Sequence, residues 1–350
     1  MPVPAEASPP LPVRERRSGD APHRPRDPYF DNVKFLAVVL VVVGHAWGPL
    51  RGMRLRDTAH LFVYTFHMPL FIVIAGHFSR RFAVKQGKVR GLIVGVAVPY
   101  LIFEAAYPLY VSLLGGAPFV WSPLSPYYLT WFLLALFAWR LSTPLWQQLR
   151  WPLAVAVLIS LISGAVRLPD PVVTRTLGFL PFFVIGLLLT EDHFRLLRTR
   201  PARVAAVLVA AAAAVAAVLA APHVDPEWVG YRYPDERLGV SPLVAFGGRA
   251  VVLVCGLVMT AAFLALVPAR RTWFTELGSA SMYVYLLHGF VVLGATYAGW
   301  YSLVRELGAV GALTVVTVLG AALAPVLAGR PVRRVFRWVV EPRLDWAFRH

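Results

Sequence analysis

The sequence predicts an all-α fold: a polytopic integral membrane bundle of about ten transmembrane helices, with both termini in the cytoplasm. Of its 350 residues, 58% are hydrophobic and only 15% are charged, and the mean hydropathy is +0.64. One soluble core cannot hide so many apolar stretches, which places the chain among membrane proteins. Each stretch is continuous and lacks the alternation of a barrel strand, so helices are the expected spanning form.

Ten apolar runs approach the roughly 20 residues that a helix needs to cross the hydrocarbon layer. The fifth run, 152–166, is short and is expected to tilt little. The predicted spans are 33–50, 60–78, 89–114, 127–146, 152–166, 176–190, 202–221, 242–267, 279–299 and 307–328.

The distribution of lysine and arginine predicts the orientation. Most of the 34 basic residues lie in the amino-terminal tail, in the loops after every second span and in the carboxy-terminal segment, which favours both termini inside. The first outer loop opposes this rule, because it contains Arg51, Arg54 and Arg56. Two explanations are possible: Asp57 neutralises part of this charge, or the arginines contact a polar substrate. The net charge of +16 does not indicate nucleic acid, because no basic and aromatic binding module is present.

Three segments follow from the composition. Residues 1–28 are rich in proline and arginine without an apolar core, which predicts a disordered cytosolic tail rather than a secretory signal. Residues 29–330 form the predicted membrane domain. Residues 331–350 alternate arginine with tryptophan and phenylalanine, a pattern typical of an amphipathic helix lying against anionic lipid.

A histidine interrupts the first span. His45 lies deep among valines and Lys34 opens the same segment; because ionisable groups in hydrocarbon are costly, they mark a functional site. The two positions share one helix face about 16 Å apart. Alternatively, His45 is a packed histidine bonded to a neighbour, and Lys34 pairs with Asp31 at i and i+3.

Two further histidines, His67 and His288, are predicted at a depth comparable to that of His45. Three imidazoles are therefore expected to converge in one layer of the bundle. His67 has a second interpretation, because Pro69 frees a backbone carbonyl that this imidazole would satisfy.

Five parts of the chain, in order, carry a family resemblance. They are DNVKFL (31–36) with GH (44–45), FHMPLF (66–71) with AGHFS (75–79), VPYLIF (98–103), WFL (131–133) with AL (135–136), and SMYVYLLH (281–288). These segments resemble the signatures of the acyltransferase 3 family of integral membrane acyltransferases, especially its fucose 4-O-acetylase-like branch. The resemblance covers about residues 29–328.

The resemblance implies transfer of an acyl group, usually acetyl from a coenzyme A thioester, onto a hydroxyl of a carbohydrate or other secondary product. The family's first-helix pattern is an arginine, ten residues and a histidine, which here fall on Lys34 and His45. Lysine keeps the charge of arginine without its bidentate fork. The family also has a pair of arginines before span three. The residues of this sequence that come nearest to that spacing are Lys85 and Lys88, and Arg90 is close by.

Acyl transfer from a thioester requires the acceptor hydroxyl to lose its proton as it attacks. Neutral histidine suits that task near pH 7, so His45 is the predicted general base. The carbonyl oxygen gains charge and needs hydrogen-bond donors, for which His67 and Asn32 are candidates. Glu104 and His288 are the further predicted acceptor contacts, and Glu104 alternatively pairs with an unidentified cation.

The cluster of basic residues after span two is the predicted site for the phosphates of acetyl-CoA or another acyl-CoA. An inside-positive loop explains the same charges. The expected partners are therefore acyl-CoA, a hydroxylated acceptor such as a glycan, and membrane lipid, without a metal. A composition rich in alanine, arginine and valine favours a bacterial plasma membrane. The cluster comprises Arg80, Arg81, Lys85, Lys88 and Arg90.

The competing hypothesis is a multi-pass transporter or proton-coupled permease, in which the same histidines relay protons without bond chemistry. The sequence shows neither inverted repeats nor a pair of broken spans, and both would favour a transporter. A membrane scaffold is the third hypothesis.

Overall fold

The computed structural model of the protein describes residues 27–166, 168, 170–224, 226–231 and 241–348. Every regular element in these residues is helical and none is a strand, which confirms the all-α class. The α-helices are α1 Pro28–Ala46, α2 Arg54–Tyr64, α3 His67–Ser79, α4 Gln86–Leu92, α5 Val98–Gly115, α6 Trp131–Gln148, α7 Pro152–Ala165, α8 Pro171–Gly178, α9 Leu180–Leu188, α10 Glu191–Leu197, α11 Arg200–Ala220, α12 Pro242–Leu266, α13 Ser281–Tyr297, α14 Trp300–Arg305, α15 Gly308–Leu327 and α16 Arg330–Val340.

Several helices have the length and composition to cross a membrane, so the chain is a multi-pass membrane protein. Eight such segments occur among the described residues, and α7, with 14 residues, is a shorter apolar helix. The polar residues Arg140, Gln147 and Gln148 lie among the 18 residues of α6. The predicted count of ten spans and the predicted orientation therefore stay predictions.

Two spans are each broken into two helices, and the expectation that the chain lacks such a pair is wrong. The second predicted span divides into α2 and α3 at Thr65 and Phe66, and the sixth divides into α8 and α9 at Phe179. Pro69 and Pro181 follow these breaks, and proline lacks the N–H that would continue the helical hydrogen bonds. A hydropathy sum does not register such an interruption.

The second halves of the broken spans pack against each other at the closest approach that a backbone allows. A Cβ atom added to Gly76 on α3 would lie 2.2 Å from the carbonyl oxygen of Phe183 on α9. A Cβ atom added to Gly186 would lie 2.1 Å from the carbonyl oxygen of Val73. Helices α3 and α9 therefore pack closely, because neither glycine leaves room for a side chain between the two backbones.

Helix α1 lies at the centre of the bundle, in contact with α3, α13 and α15. Its N-cap residue Asp27 accepts a hydrogen bond from the Tyr29 N–H at 2.9 Å, as is common for aspartate at this position. The Tyr29 hydroxyl donates to the Leu264 carbonyl oxygen at 2.8 Å, which ties the start of α1 to α12. This central position allows α1 to present side chains to cavities along its whole length.

The two terminal segments are described in part. Residues 1–26 of the predicted tail lie outside the described residues, and α1 begins at Pro28, so the last residue of that predicted segment is helical. At the other end, α16 buries Val339 and Val340 while Trp338 is 74% exposed, as expected of an amphipathic helix. Its contact with anionic lipid stays a prediction.

Candidate active site

Three cavities follow one another along α1. The first, the Lys34 cavity, lies beside the beginning of the helix and has a volume of about 670 Å³. Its polar part is lined by four cations and three carboxylates, and its wall towards the middle of the helix is mostly apolar. The charged residues are Lys34, Arg80, Arg81, Arg140, Asp27, Asp31 and Glu191. Val41 lies at that inner limit, about ten ångströms along the helix from Lys34 at 1.5 Å per residue.

The second cavity, the His67 pocket, has a volume of only about 30 Å³ and is lined by His45, His67, Tyr64, Trp131 and Arg175 among others. This is room for one or two water molecules. It shares the wall residues Val41, Met68 and Tyr285 with the Lys34 cavity.

The third cavity, the His60 cavity, has a volume of about 330 Å³ and is lined by His60, Arg51 and Arg56 at the end of α1. It shares His45, Tyr64, Trp131, Arg175 and Gly230 with the His67 pocket. His45 therefore stands at the junction between the narrow pocket and the cavity at one end of α1, one helical turn beyond the limit of the cavity at the other.

His45 is hydrogen-bonded to His288, which lies 243 residues away on α13. The Nδ1 atom of His45 is 2.8 Å from the Nε2 atom of His288, and the Nδ1 atom of His288 is 2.9 Å from the carbonyl oxygen of Val284. A carbonyl only accepts, so His288 Nδ1 carries the proton and its neutral ring offers Nε2 as an acceptor. His45 Nδ1 is then the donor, which leaves His45 Nε2 with a lone pair.

His67 uses the same local bond on α3. Its Nδ1 atom is 3.2 Å from the carbonyl oxygen of Val63, so the neutral ring presents an acceptor Nε2 atom as well. The carbonyl that Pro69 frees belongs to Thr65, four residues earlier, and it is not the partner of His67. The structure thus brings His45, His67 and His288 together, and their chemical roles stay predictions.

A buried carboxylate fixes the loop that packs against His45. Glu104, 1% exposed on α5, accepts from the Tyr127 N–H at 2.9 and 3.0 Å and from the Thr130 hydroxyl at 2.5 Å. Between these two residues Tyr128 adopts a φ of 54°, an uncommon conformation for a bulky side chain. The Tyr128 ring centroid is 5.3 Å from that of His45. Glu104 therefore acts as a positioning residue; its predicted contact with the acceptor stays a prediction.

Lys34 pairs with Asp31. The Lys34 Nζ atom is 2.8 Å from Asp31 Oδ1, which confirms the interpretation of an i, i+3 ion pair. The Lys34 side chain remains 25% exposed at the wall of its cavity and lies 5.2 Å from the Phe78 ring. Its ammonium group is therefore partly neutralised but accessible.

The predicted phosphate cluster is divided. Arg80 and Arg81 line the Lys34 cavity, whereas Lys85, Lys88 and Arg90 are not among its lining residues. Arg90 instead forms an ion pair with Asp345 and lies 5.1 Å from the Phe348 ring, which ties α4 to the carboxy-terminal segment.

Arg140 joins the cavity in their place, and sequence reasoning missed it as a site residue. It lies on α6, and its Nε atom donates to the Ser79 hydroxyl oxygen at 3.2 Å. A charged side chain inside a predicted span was the available signal.

Asn32 has a structural role at the start of α1. Its amide nitrogen donates to the carbonyl oxygens of Pro268 and Arg270 at 2.8 and 2.9 Å, and its amide oxygen accepts from Thr272 and Thr275 at 3.2 and 2.7 Å. It lines none of the three cavities. The predicted role of Asn32 at the substrate has no support in this geometry.

The outer-loop arginines separate into two groups. Arg56 forms an ion pair with Asp57 at 2.8 Å, as one interpretation predicted, and also donates to the Trp47 carbonyl oxygen at 3.0 Å. Arg51 and Arg56 both line the His60 cavity, whereas Arg54 does not. Both interpretations of this loop are thus compatible with its geometry.

Arg175 is the other site residue that sequence reasoning missed. It lies on α8 and lines both the His67 pocket and the His60 cavity. The predicted span began at residue 176, so Arg175 fell just outside it. The available signal was the apolar residues 171–173 shortly before the arginine, which extend the helical segment by more than one turn.

The fold and the site together define a helical membrane protein with a hydrogen-bonded histidine pair between two cavities. Over residues 27–327 the chain matches the acyltransferase 3 family, described as an acyltransferase domain, and it therefore belongs to that family. It is a membrane acyltransferase. A search of curated proteins and a search of solved structures each found no significant match. The fucose 4-O-acetylase-like branch stays a prediction.

Potential metal ligands do not cluster in the described part of the chain. No group of three or more histidine, cysteine, aspartate or glutamate side chains there has the arrangement of a metal site. In the histidine pair, the bonded ring atoms point at each other and not at a common centre.

Proposed function

We propose that this acyltransferase moves an acetyl or other short acyl group from a coenzyme A thioester to a hydroxyl of a carbohydrate, a cell-envelope glycan or a secondary metabolite. The observation that carries the proposal is the hydrogen bond between His45 Nδ1 and His288 Nε2. It orients a base whose other nitrogen is available at the junction of the cavities, which is the arrangement that general base catalysis requires.

His45 performs two proton transfers in this reaction. Its Nε2 atom takes the proton of the acceptor hydroxyl while the hydroxyl oxygen attacks the thioester carbonyl carbon. The carbon–sulfur bond then breaks, and the thiolate leaves with the proton that His45 has carried. His288 accepts a hydrogen bond from Nδ1 throughout, so the ring keeps one orientation and its positive charge is stabilised.

The Lys34 cavity supplies a site with the chemistry of the donor. Lys34, Arg80, Arg81 and Arg140 provide positive charge at one end, where the coenzyme A phosphates bind; the carboxylates Asp27, Asp31 and Glu191 line the same cavity and offset part of that charge. The apolar wall leads from there to the His67 pocket and accommodates the pantetheine arm. The thioester then lies within reach of His45, and the 30 Å³ pocket favours a short acyl group.

The two larger cavities also suit substrates that arrive from different sides. We place the Lys34 cavity on the cytosolic side of a bacterial plasma membrane, because acyl-CoA is made in the cytosol and most basic residues lie at that end. The acceptor then enters through the His60 cavity. This assignment follows the positive-inside rule.

The test is transfer of radiolabelled acetyl from acetyl-CoA to a cell-envelope extract by the purified protein. His45→Ala is expected to lower the rate by about 10²–10⁴-fold, the usual contribution of a general base. His223→Ala, which changes an exposed histidine after α11, is the matched control and is expected to leave the rate unchanged. Equal transfer by wild type and His45→Ala would remove His45 as the base.

One observation favours a second candidate, a transporter, because paired broken helices are common in that class. Thermal protection separates the two functions. An acyl donor that binds only the folded state stabilises it by about 2.7 kcal/mol when its concentration is 100 times its dissociation constant. Acetyl-CoA is expected to raise the melting temperature of the acyltransferase, whereas a permease for another solute gains nothing from it.

A further inference from the structure

Arg175 occupies the place in the site where negative charge develops during acyl transfer. It lines the His67 pocket together with His45. The pocket accommodates only one or two groups of the size of water. A small group in contact with His45 Nε2 in this space is therefore also next to the Arg175 side chain.

The polar side chains of the pocket include two neutral donors, the Tyr64 hydroxyl and the Trp131 indole N–H, and one cation, Arg175. The hydrogen bonds of His45 and His67 make their Nε2 atoms acceptors, so neither neutral ring donates into the pocket. The Tyr285 hydroxyl donates to the Leu129 carbonyl oxygen. Among the described lining residues Arg175 is the cation, and a charged donor forms hydrogen bonds roughly twice as strong as a neutral one.

The guanidinium group of Arg175 is held in place by its surroundings. Its Nε atom donates to the Gly230 carbonyl oxygen at 3.0 Å, and its Cζ atom is 4.6 Å from the centroid of the Trp131 ring. The helix that carries it is capped by Asp170, whose Oδ1 accepts from the Val172 N–H at 2.7 Å. Donors fixed before the reaction stabilise developing charge most effectively, because they need no reorganisation.

Resting on the proposed function, we infer that Arg175 is a catalytic residue that stabilises the oxyanion of the tetrahedral intermediate. As the acceptor oxygen bonds to the carbonyl carbon and its proton passes to His45 Nε2, the carbonyl π electrons move to oxygen. The Arg175 guanidinium donates to that oxygen. When the electrons return, the carbon–sulfur bond breaks and the thiolate takes the proton from His45.

The experiment compares Arg175→Gln and Arg175→Lys with Arg249→Gln in the acetyl transfer assay. Arg249 is a matched control on α12: it is 4% exposed, donates to the Ser160 carbonyl oxygen at 3.2 Å and lies 5.3 Å from the Tyr231 ring. It lines none of the three cavities. Any loss from removing a buried arginine as such therefore appears in both glutamine variants.

Arg175→Gln is expected to lower kcat by about 10²–10³-fold, the effect of removing one oxyanion donor. The KM for acetyl-CoA and the thermal protection by acetyl-CoA are expected to remain close to those of the wild type. Arg175→Lys restores part of kcat because it keeps the charge, and it also tests the role if the glutamine variant does not fold.

Two results would overturn the oxyanion role. One is an unchanged kcat in Arg175→Gln; the other is a raised KM for the acceptor with kcat preserved, which would make Arg175 a binding residue. If His45→Ala loses activity in the same assay, the proposed function survives either result. If His45→Ala is fully active, the proposed base fails independently of Arg175.

Discussion

Helices α13 and α3 each carry a histidine with the same local hydrogen bond but in different surroundings. His288 and His67 both direct Nδ1 to the carbonyl oxygen four residues earlier, Val284 and Val63, so each ring has the same tautomer. His288 then bonds to His45, whereas His67 faces the small pocket. The local sequence thus sets the protonation of a ring, and helix packing decides what that ring does.

The two helices also differ in how closely they can be approached. A Cβ atom on Gly289 of α13 would meet the Tyr107 hydroxyl oxygen at 2.4 Å, which is the end of a side chain. On α3 the atom that opposes Gly76 belongs to the backbone. Tyr107 is itself buried and donates to the Leu286 carbonyl oxygen at 2.7 Å, so α13 also resists a larger residue here, but through a side chain and not through the backbone.

Among the variants that test the comparison between α13 and α3, His288→Ala has the largest expected effect on activity. Without the acceptor Nε2, the His45 ring loses its fixed orientation and the partner of its positive form. We expect kcat to fall by about 10²–10³-fold, as when the orienting member of a catalytic group is removed. Steady-state kinetics with acetyl-CoA measure this, with KM nearly constant.

His288→Gln is the conservative companion, because an amide oxygen accepts a hydrogen bond from His45 and the amide nitrogen donates to Val284. It is expected to recover part of the rate. Full activity of His288→Ala would show that the pair does not orient the base and would remove the contrast between α13 and α3.

Gly76→Ala sharpens the contrast in packing. The new methyl group meets the Phe183 carbonyl oxygen, so α3 and α9 must separate, and we expect a loss of about 3 kcal/mol of stability or failure to fold. Gly289→Ala is expected to cost less, because it displaces the Tyr107 side chain and its hydrogen bond to Leu286 and not the backbone of a second helix. Gly247→Ala, with nothing within 4 Å of its Cβ atom, is the control.

Thermal unfolding in detergent measures these three variants. If Gly76→Ala melts at the same temperature as Gly247→Ala, the contact between α3 and α9 accommodates a methyl group, and the packing is less close than the structure indicates.

Glu104→Gln tests whether the loop that Glu104 holds, and that places Tyr128 beside His45, matters for activity. The amide group has one acceptor oxygen where the carboxylate has two, so the bonds to Tyr127 and Thr130 cannot all persist. We expect kcat to fall about tenfold, in line with the 1–3 kcal/mol of an unsatisfied buried group, with little change in the KM for acetyl-CoA. Glu306→Gln, at an exposed position after α14, is the control. A raised acceptor KM alone would return Glu104 to its predicted role at the substrate.

His67→Gln has the smallest expected effect. Glutamine preserves a donor towards Val63 and an acceptor towards the pocket, so we expect kcat to fall at most about tenfold. The same assay measures it beside His45→Ala. A loss as large as that of His45→Ala would transfer the role of base to His67 and reverse the comparison between the two helices.

The sequence alone predicts the helices well where an apolar run is uninterrupted. The predicted span 242–267 corresponds to the helix Pro242–Leu266, and 89–114 lies within the helical segment Gly87–Gly115. The sequence does not predict the breaks within 60–78 and 176–190. Hydropathy adds up the polarity of side chains, whereas a break is a change in backbone conformation.

For the site, the cost of an ionisable group in hydrocarbon was sufficient to select His45, His67 and His288. The pairing of His45 with His288 depends on a contact across 243 residues, which no local pattern contains. Arg175 was missed for a related reason, since its significance lies in which cavity α8 faces.

The narrow His67 pocket has a consequence for the membrane itself. Cavities that approach each other from the two ends of α1 would form a leak if they joined, yet the connection between them has space for only one or two water molecules. An ion with its hydration shell is larger than that. In the proposed reaction, the constriction at which donor and acceptor meet would therefore also exclude hydrated ions, so that acyl transfer between the two cavities need not open a path for them.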